Sequence, residues 1–217
     1  MRAARRHTGT TAKTFDGVAH ALGEWLMAQP LFCVATAPLS ADGFVNTSPK
    51  GNRREFVVIT PHRVAYLDQT GPGLKTIAHL REIGRIVILF FAVAAAARIV
   101  RLHGRGRVVE RHDPDFALFA EYFPTAHDVG VRVIIVIDVE RVSDSCGYGV
   151  PVLDVGEHRP TMDQWSHRKG LRAFATIRPS TTSPVSKASR ASARVEPQPP
   201  IIDIDRRGAR NPTSLMA

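Results

Sequence analysis

A hydroxyl, a cation and a flexible backbone stand together at Ser48-Pro49-Lys50-Gly51. Such a group can hold an anion or the polar edge of a ring. Taken alone it also reads as a strand end with a solvated lysine, because Pro49 cannot donate to a sheet ladder. A second group follows at "DQTGPGLKTIAHL", residues 68–80. Thr70 ends a strand, Gly71 and Gly73 allow a tight turn, and Lys75 and Thr76 open a helix whose first N–H groups favour anions. The stretch has the look of a phosphate cradle, but the GxxxxGK-Ser/Thr spacing of the nucleotide P-loop is absent, and an ordinary capped connection would read the same. "HGRGR" (103–107) lacks the third glycine and the strand–helix setting of a dinucleotide fingerprint, so its arginines are expected on an exposed strand face. Cys146 lies in "DSCGYGVP" (144–151) with no base beside it, and that loop reads as structural or pocket-lining. The nine histidines, His79 and His103 among them, show no paired metal-ligand spacing.

The elements that must position these residues are mostly strands. Val18, Leu22, Trp25 and Leu26 share one face of a helix expected over Asp16–Gln29, which Pro30 ends. "FCVATA" (32–37) and the stretch to residue 49 form a hairpin around the turn "SADG" (40–43). "EFVVIT" (55–60) pairs with "RVAYLDQ" (63–69) around Pro61-His62. A short helix over 71–82 precedes the strand "RIVILFF" (85–91). A long strand over 98–110 carries Gly104 and Gly106, which signal a bulge or a close backbone approach. "DPDFALFAEYF" (113–123) starts as an Asp-Pro helix, and 131–145 is a long strand. Six or seven strands in hairpin order, without regular strand–helix alternation, predict a mainly β, antiparallel barrel rather than a doubly wound sheet.

Composition sets the outer limits. The chain has 217 residues, 44% of them hydrophobic, and a net charge of +9. The charge sits at the ends. Residues 1–14 hold four basic and no acidic residues, and 158–217 hold 11 basic and four acidic ones, whereas 15–157 hold 14 basic and 16 acidic. Specific nucleic-acid binding is therefore not expected, since the folded body is near neutral. The longest apolar run, Ile86 to Ala97, has 12 residues, well short of the roughly 20 that span a bilayer. The opening residues carry charge but no apolar stretch, and the two cysteines, Cys33 and Cys146, suggest reduced thiols; a cytoplasmic protein without membrane contact is expected. Three parts are expected: a basic tail over 1–14, one domain over 15–170, and a basic tail over 171–217 whose Ser-, Pro-, Ala- and Arg-rich composition is that of disorder.

In order along the chain, "FCVATAPLSADGFVNTSPKG" (32–51), "VAYLDQTGPGLKTIAHLRE" (64–82), "RIVRLHGRGRVV" (98–109) and "DVERVSDSCGYGVP" (138–151) resemble the pyridoxamine 5′-phosphate oxidase-related, FMN-binding split-barrel family, over about residues 15–168. The resemblance implies a six-stranded antiparallel split barrel, a homodimer, and FMN at each of two interface sites. It implies that the strand Val45, Asn46, Thr47, Ser48, Pro49 and Lys50 runs along the flavin ring, with Lys50 near its polar edge. Gln69-Thr70 matches the family's aromatic-Thr pair, and Lys75-Thr76 matches its Arg-Lys phosphate pair. Val45 stands where the family has a phosphate-binding arginine, and Ile99, with Arg98 beside it, where the family has a flavin-contacting glutamine. The family's C-terminal substrate segment has no counterpart, so pyridoxamine phosphate is not the expected substrate. The implied function is a flavin-dependent oxidoreductase acting on a small molecule, with no side chain assigned a catalytic role. A deazaflavin-dependent reductase on the same fold, and a non-enzymatic flavin-binding module, are the alternatives.

Overall fold

The computed structural model describes residues 13–175 apart from 52–54, 72–73 and 95, and for 169–175 the backbone alone. All of them belong to one compact unit, which ends at Pro179. They form the strands β1 (Lys13–Phe15), β2 (Phe32–Thr36), β3 (Asn46–Lys50), β4 (Phe56–Thr60), β5 (Arg63–Gln69), β6 (Arg85–Phe91), β7 (Ile99–Glu110) and β8 (Val131–Ser145). The helices are α1 (His20–Ala28), α2 (Lys75–Glu82), α3 (Phe116–Ala120) and α4 (Thr161–Ala175). The fold is mainly β, as the pattern predicts. All but the first strand, and the first three helices, fall on expected segments. β1 has three exposed residues and pairs with β8, and α4 follows Pro160; neither carries an apolar period strong enough to read. The expected tails at 1–14 and 171–217 lie almost wholly outside the described residues.

The strands make one antiparallel sheet in the order β3-β2-β6-β7-β8-β5-β4, with β1 attached to β8. Aromatic contacts reveal its curvature. The Phe32 ring of β2 lies 5.5 Å from Phe56 of β4 and 5.6 Å from Tyr66 of β5, and Phe56 lies 4.9 Å from Phe90 of β6. β2 and β4 stand near opposite ends of the strand order, so their rings meet only if the sheet rolls up. No ladder joins β3 to β4 among the described residues, and the barrel stays open along that seam. This is a split barrel of the expected type, with eight strands in its sheet where the resemblance implies six.

Alternation puts Ile86, Ile88 and Phe90 of β6 and Val133, Ile135 and Ile137 of β8 inside, where α1 and α2 complete the core with Leu22, Leu26, Ile77 and Leu80. Each fully buried side chain of this size contributes about 1.5–3 kcal/mol. A second cluster packs Phe116 and Phe119 of α3 on Leu67, Ile134 and Val136. Just past the end of α2, Gly84 has a φ of 71°, the left-handed conformation that closes a helix. Its carbonyl then accepts from the Gly106 amide at 2.7 Å, tying the helix end to β7.

Candidate functional site

β3 is the edge strand on which most of the candidate residues lie. Its register pairs Lys50 with Phe32, Ser48 with Val34 and Asn46 with Thr36. Directly paired residues share a sheet face. Asn46, Ser48 and Lys50 therefore point with buried β2 residues toward the interior, while Thr47 and Pro49 are exposed on the other face. The strand does not break at Pro49, which sits opposite Cys33 inside the ladder. An edge strand tolerates this because one side of its backbone needs no partner strand.

At the Asn46 end, β3 meets α2. Asn46 Nδ2 donates to Thr76 Oγ1 at 3.1 Å and lies 3.5 Å from Ser48 Oγ. One turn further along α2, His79 Nδ1 and Thr36 Oγ1 are 3.0 Å apart in a buried pair. These contacts fix the helix start against the strand start. Lys75, the first residue of α2, is exposed beside buried Thr76. Val45 is 68% exposed and brings no charge to this corner.

At the Lys50 end, the buried carboxylate of Asp68 takes Lys50 Nζ on one oxygen, at 2.7 Å, and Arg132 Nη2 on the other. A bulge sets this up. Asp68 pairs with Val133 and Gln69 with Val131, leaving Arg132 as the extra residue of β8. Such bulges re-aim a side chain. Arg132 Nη1 also donates to the Gly71 carbonyl at 3.2 Å, steadying the turn before α2. Gln69 Nε2 donates to buried Glu55. Thr70 is buried, and its amide donates to the Gly130 carbonyl at 2.7 Å, which anchors the turn. Ser48, Pro49, Lys50 and Gln69 line a cavity of about 1040 Å³ at this end of the barrel.

Arg98 is not brought to either cluster. It donates through Nε and Nη2 to Asp144, at 2.9 and 2.6 Å, and its guanidinium lies 5.0 Å from the Trp25 ring centre. Exposed Cys146 and the arginines of 103–107 also stand apart, the latter on the outer sheet face as expected. Burial raises the Cys33 thiol pKa, so that residue is not an activated thiolate. Asp68, Glu55 and Arg132 were not among the candidates. The available signal was an aspartate inside the otherwise apolar strand "RVAYLDQ", since a buried carboxylate needs a partner. Among the described residues no cluster of His, Cys, Asp or Glu is arranged to hold a metal, and no helix is long and apolar enough to cross a membrane.

The family model described as pyridoxamine 5′-phosphate oxidase matches residues 18–146, which contain β2 to β8 and both clusters. The chain belongs to this family. A curated relative, the pyridoxamine 5′-phosphate oxidase family protein ustO of Aspergillus flavus, is 41% identical over 142 residues, or 65% of this chain. The match spans 57% of that relative's length. Among solved structures, HupZ of Group A Streptococcus is 20% identical, covering 58% of this chain and 91% of that one with a TM-score of 0.46. The FAD-binding protein of Mycobacterium smegmatis is 14% identical, covering 60% and 97%, with a TM-score of 0.41.

Proposed function

We propose that this family member binds FMN along the edge of β3, as a homodimer, and acts as a flavin-dependent oxidoreductase on a small molecule. The observation that carries the reading is the Asn46–Thr76 hydrogen bond. It sets Lys75, Thr76 and the first N–H groups of α2 at one end of a strand whose outer backbone edge has no strand partner among the described residues. A phosphate suits the first group, because a cation, a hydroxyl and helix-start amides all donate. The polar edge of a flavin ring suits the second, because an edge strand offers N–H and C=O groups in a row. β3 is five residues long, which separates its ends by about 13 Å and leaves room for a ribityl chain between phosphate and ring. A bound flavin supplies reversible hydride and electron transfer. The chain's own residues orient it: Asn46 and His79 hold α2 in place, Thr76 and Lys75 bind phosphate, and the backbone of Thr47 to Pro49 contacts the ring.

Titration with FMN, followed by flavin fluorescence, tests this. Saturable binding at one flavin per chain is expected, weakened about tenfold by Thr76→Ala, which removes one charge-assisted donor. Absence of saturable binding would sink the reading. A second reading, a deazaflavin in place of FMN, is favoured by uncharged Val45 at the phosphate corner. Competition between the two cofactors for one site decides between them.

A further inference from the structure

The described chain from residue 147 onward lies beyond the stretch that matches the family model, which ends at residue 146. It folds back over the barrel all the same. A turn in which the Val150 amide donates to the Gly147 carbonyl at 2.8 Å starts a strap without regular structure, and the strap leads to α4. Residues 153–159 and Met162 border one side of the cavity mouth, opposite Met27 to Leu31. Yet the strap is barely packed. Every residue from Pro151 to Gln164 is exposed, and a Cβ at Gly156, in its middle, would meet nothing within 4 Å. Near its start the Leu153 amide donates to the Val93 carbonyl at 2.8 Å. Segments with so few buried contacts open locally far more readily than a barrel unfolds.

The far end of the strap seats through α4. There Trp165 is half-buried and Ser166 is 2% exposed, while Thr161 to Gln164, His167 and Arg168 face solvent. Ser166 enters a notch at Gly130. A Cβ added at that glycine would come 2.7 Å from Ser166 Oγ and 3.1 Å from its Cβ, so the absence of a side chain is what admits α4. The Gly130 carbonyl accepts from the Thr70 amide, which makes the notch part of the rim between β5 and β8. The fit has a flaw. Ser166 Oγ is buried without a hydrogen-bond partner. Seating α4 strips this hydroxyl of water and gives it no hydrogen bond, whereas unseating rehydrates it. A close steric fit favours the seated state and a dehydrated hydroxyl opposes it. That is the balance of an element that moves.

We infer that residues 151–168 form a lid, hinged at 147–150, that closes the cavity mouth when Ser166 enters the Gly130 notch and opens it when α4 leaves. Lids of this kind exclude water and set the rates at which ligands enter and depart. The gating of FMN by this lid rests on the flavin reading, whereas its opening does not.

The test uses the full chain. Hydrogen exchange of the α4 amides over 163–168 reads the opening, and the β8 amides over 133–137 serve as the reference for global unfolding. α4 should exchange about a hundredfold faster than β8, or more. Ser166→Ala removes the dehydrated hydroxyl and should slow α4 exchange about tenfold. Gly130→Ala fills the notch and should speed it about tenfold. Adding Ser166→Gly to Gly130→Ala empties the space again and should bring the rate back toward the parent's. The new Cβ at residue 130 also stands 2.6 Å from Gln69 Oε1, and an effect carried through Gln69 would persist in the double variant. Across the same proteins FMN association and release, followed by flavin fluorescence, should rise and fall together with α4 exchange. Kd should stay within about twofold, because a lid changes access to a site and not its contacts. α4 exchanging as slowly as β8 overturns the lid. So does an unchanged α4 in Gly130→Ala, or a double variant that stays fast. If exchange moves as expected while both FMN rates stay fixed, the gating is overturned. If FMN fails to bind while exchange moves as expected, the flavin reading falls and the hinged lid stands.

Discussion

Asp68 and Tyr66 lie two residues apart on the inner face of β5, both at most 1% exposed, and their polar atoms have opposite standing. Both carboxylate oxygens of Asp68 are engaged by cations, whereas the Tyr66 hydroxyl is buried without a hydrogen-bond partner. Removing one partner of a buried ionic cluster strands the others, so Asp68→Ala should cost about 3–5 kcal/mol. Lys50, about a fifth exposed, can partly rehydrate, which favours the lower end of that range. Tyr66→Phe removes a hydroxyl that returns nothing for its desolvation, and should leave stability unchanged or raise it by about 1 kcal/mol. Urea midpoints measure both; a large loss in Tyr66→Phe would show that the hydroxyl has a partner. On the outer face, burial first, then Arg141 and Arg101, holds the His103 imidazole below its ordinary 6.5. The unfolded chain then takes up this proton before the folded one. Its contribution to stability is complete above about pH 6.5 and is lost as the pH falls through the lowered folded value. His103→Asn should flatten stability against pH in that window and change nothing above it. Unfolding midpoints of parent and variant, compared at about pH 7.5 and about pH 5, check this.

At the scale of elements, β5 and β8 could be read to the residue because their apolar runs end at unmistakable boundaries, Arg63–Gln69 and Val131–Ser145. β3 could not, because Pro49 reads as a stop and only the presence of a free edge makes it tolerable. The types at Asn46, Ser48 and Lys50 announced donors, but the side they face follows from pairing with β2, and no local pattern contains that register. The Asp68–Arg132 contact spans 64 residues and depends on a bulge in the β5–β8 ladder, so it too was hidden. Glycine was more legible. Gly104 was expected at a bulge or a close approach, and it is at both: the β7–β8 register shifts between His103 and Gly104, and a Cβ there would sit 2.1 Å from the Asp138 carbonyl oxygen. Backbone cannot yield as a side-chain tip can. Gly104→Ala should therefore lower stability by about 1–3 kcal/mol or more, by forcing β7 and β8 apart. Gly106→Ala meets side chains rather than backbone, Leu80 at 2.9 Å and Ile86 at 3.3 Å, and should cost less. Thermal midpoints of the two variants would rank them, and the reverse order would contradict this account of the bulge.

For the whole molecule, the outer face of β2, β6 and β7 bears on how two copies would join. Val87, Leu89, Phe91 and Ile99 project there half-buried and belong to neither core cluster. Cys33 and Ala35 of β2 continue the surface, and beside them β3 presents Thr47 and Pro49, where the flavin ring is proposed to lie. A stable interface buries about 800 Å² per partner and concentrates its energy in a few central apolar side chains. Leu89 is central here, with Cys33 on one side and Arg101 on the other. Leu89→Arg would bury an unpaired cation at the two-fold contact and set it beside Arg101, a cost of about 3–5 kcal/mol. Within a single chain Leu89 is only half-buried, so the barrel should tolerate the change. Sedimentation should then give a dimer for the parent and a monomer for Leu89→Arg, with circular dichroism unchanged. FMN binding should weaken with dissociation if the partner completes the site, because β3's exposed face would lose its cover. An unchanged sedimentation coefficient would remove this face as the interface. A monomer that binds FMN as tightly as the parent would mean that one chain's β3 and α2 suffice.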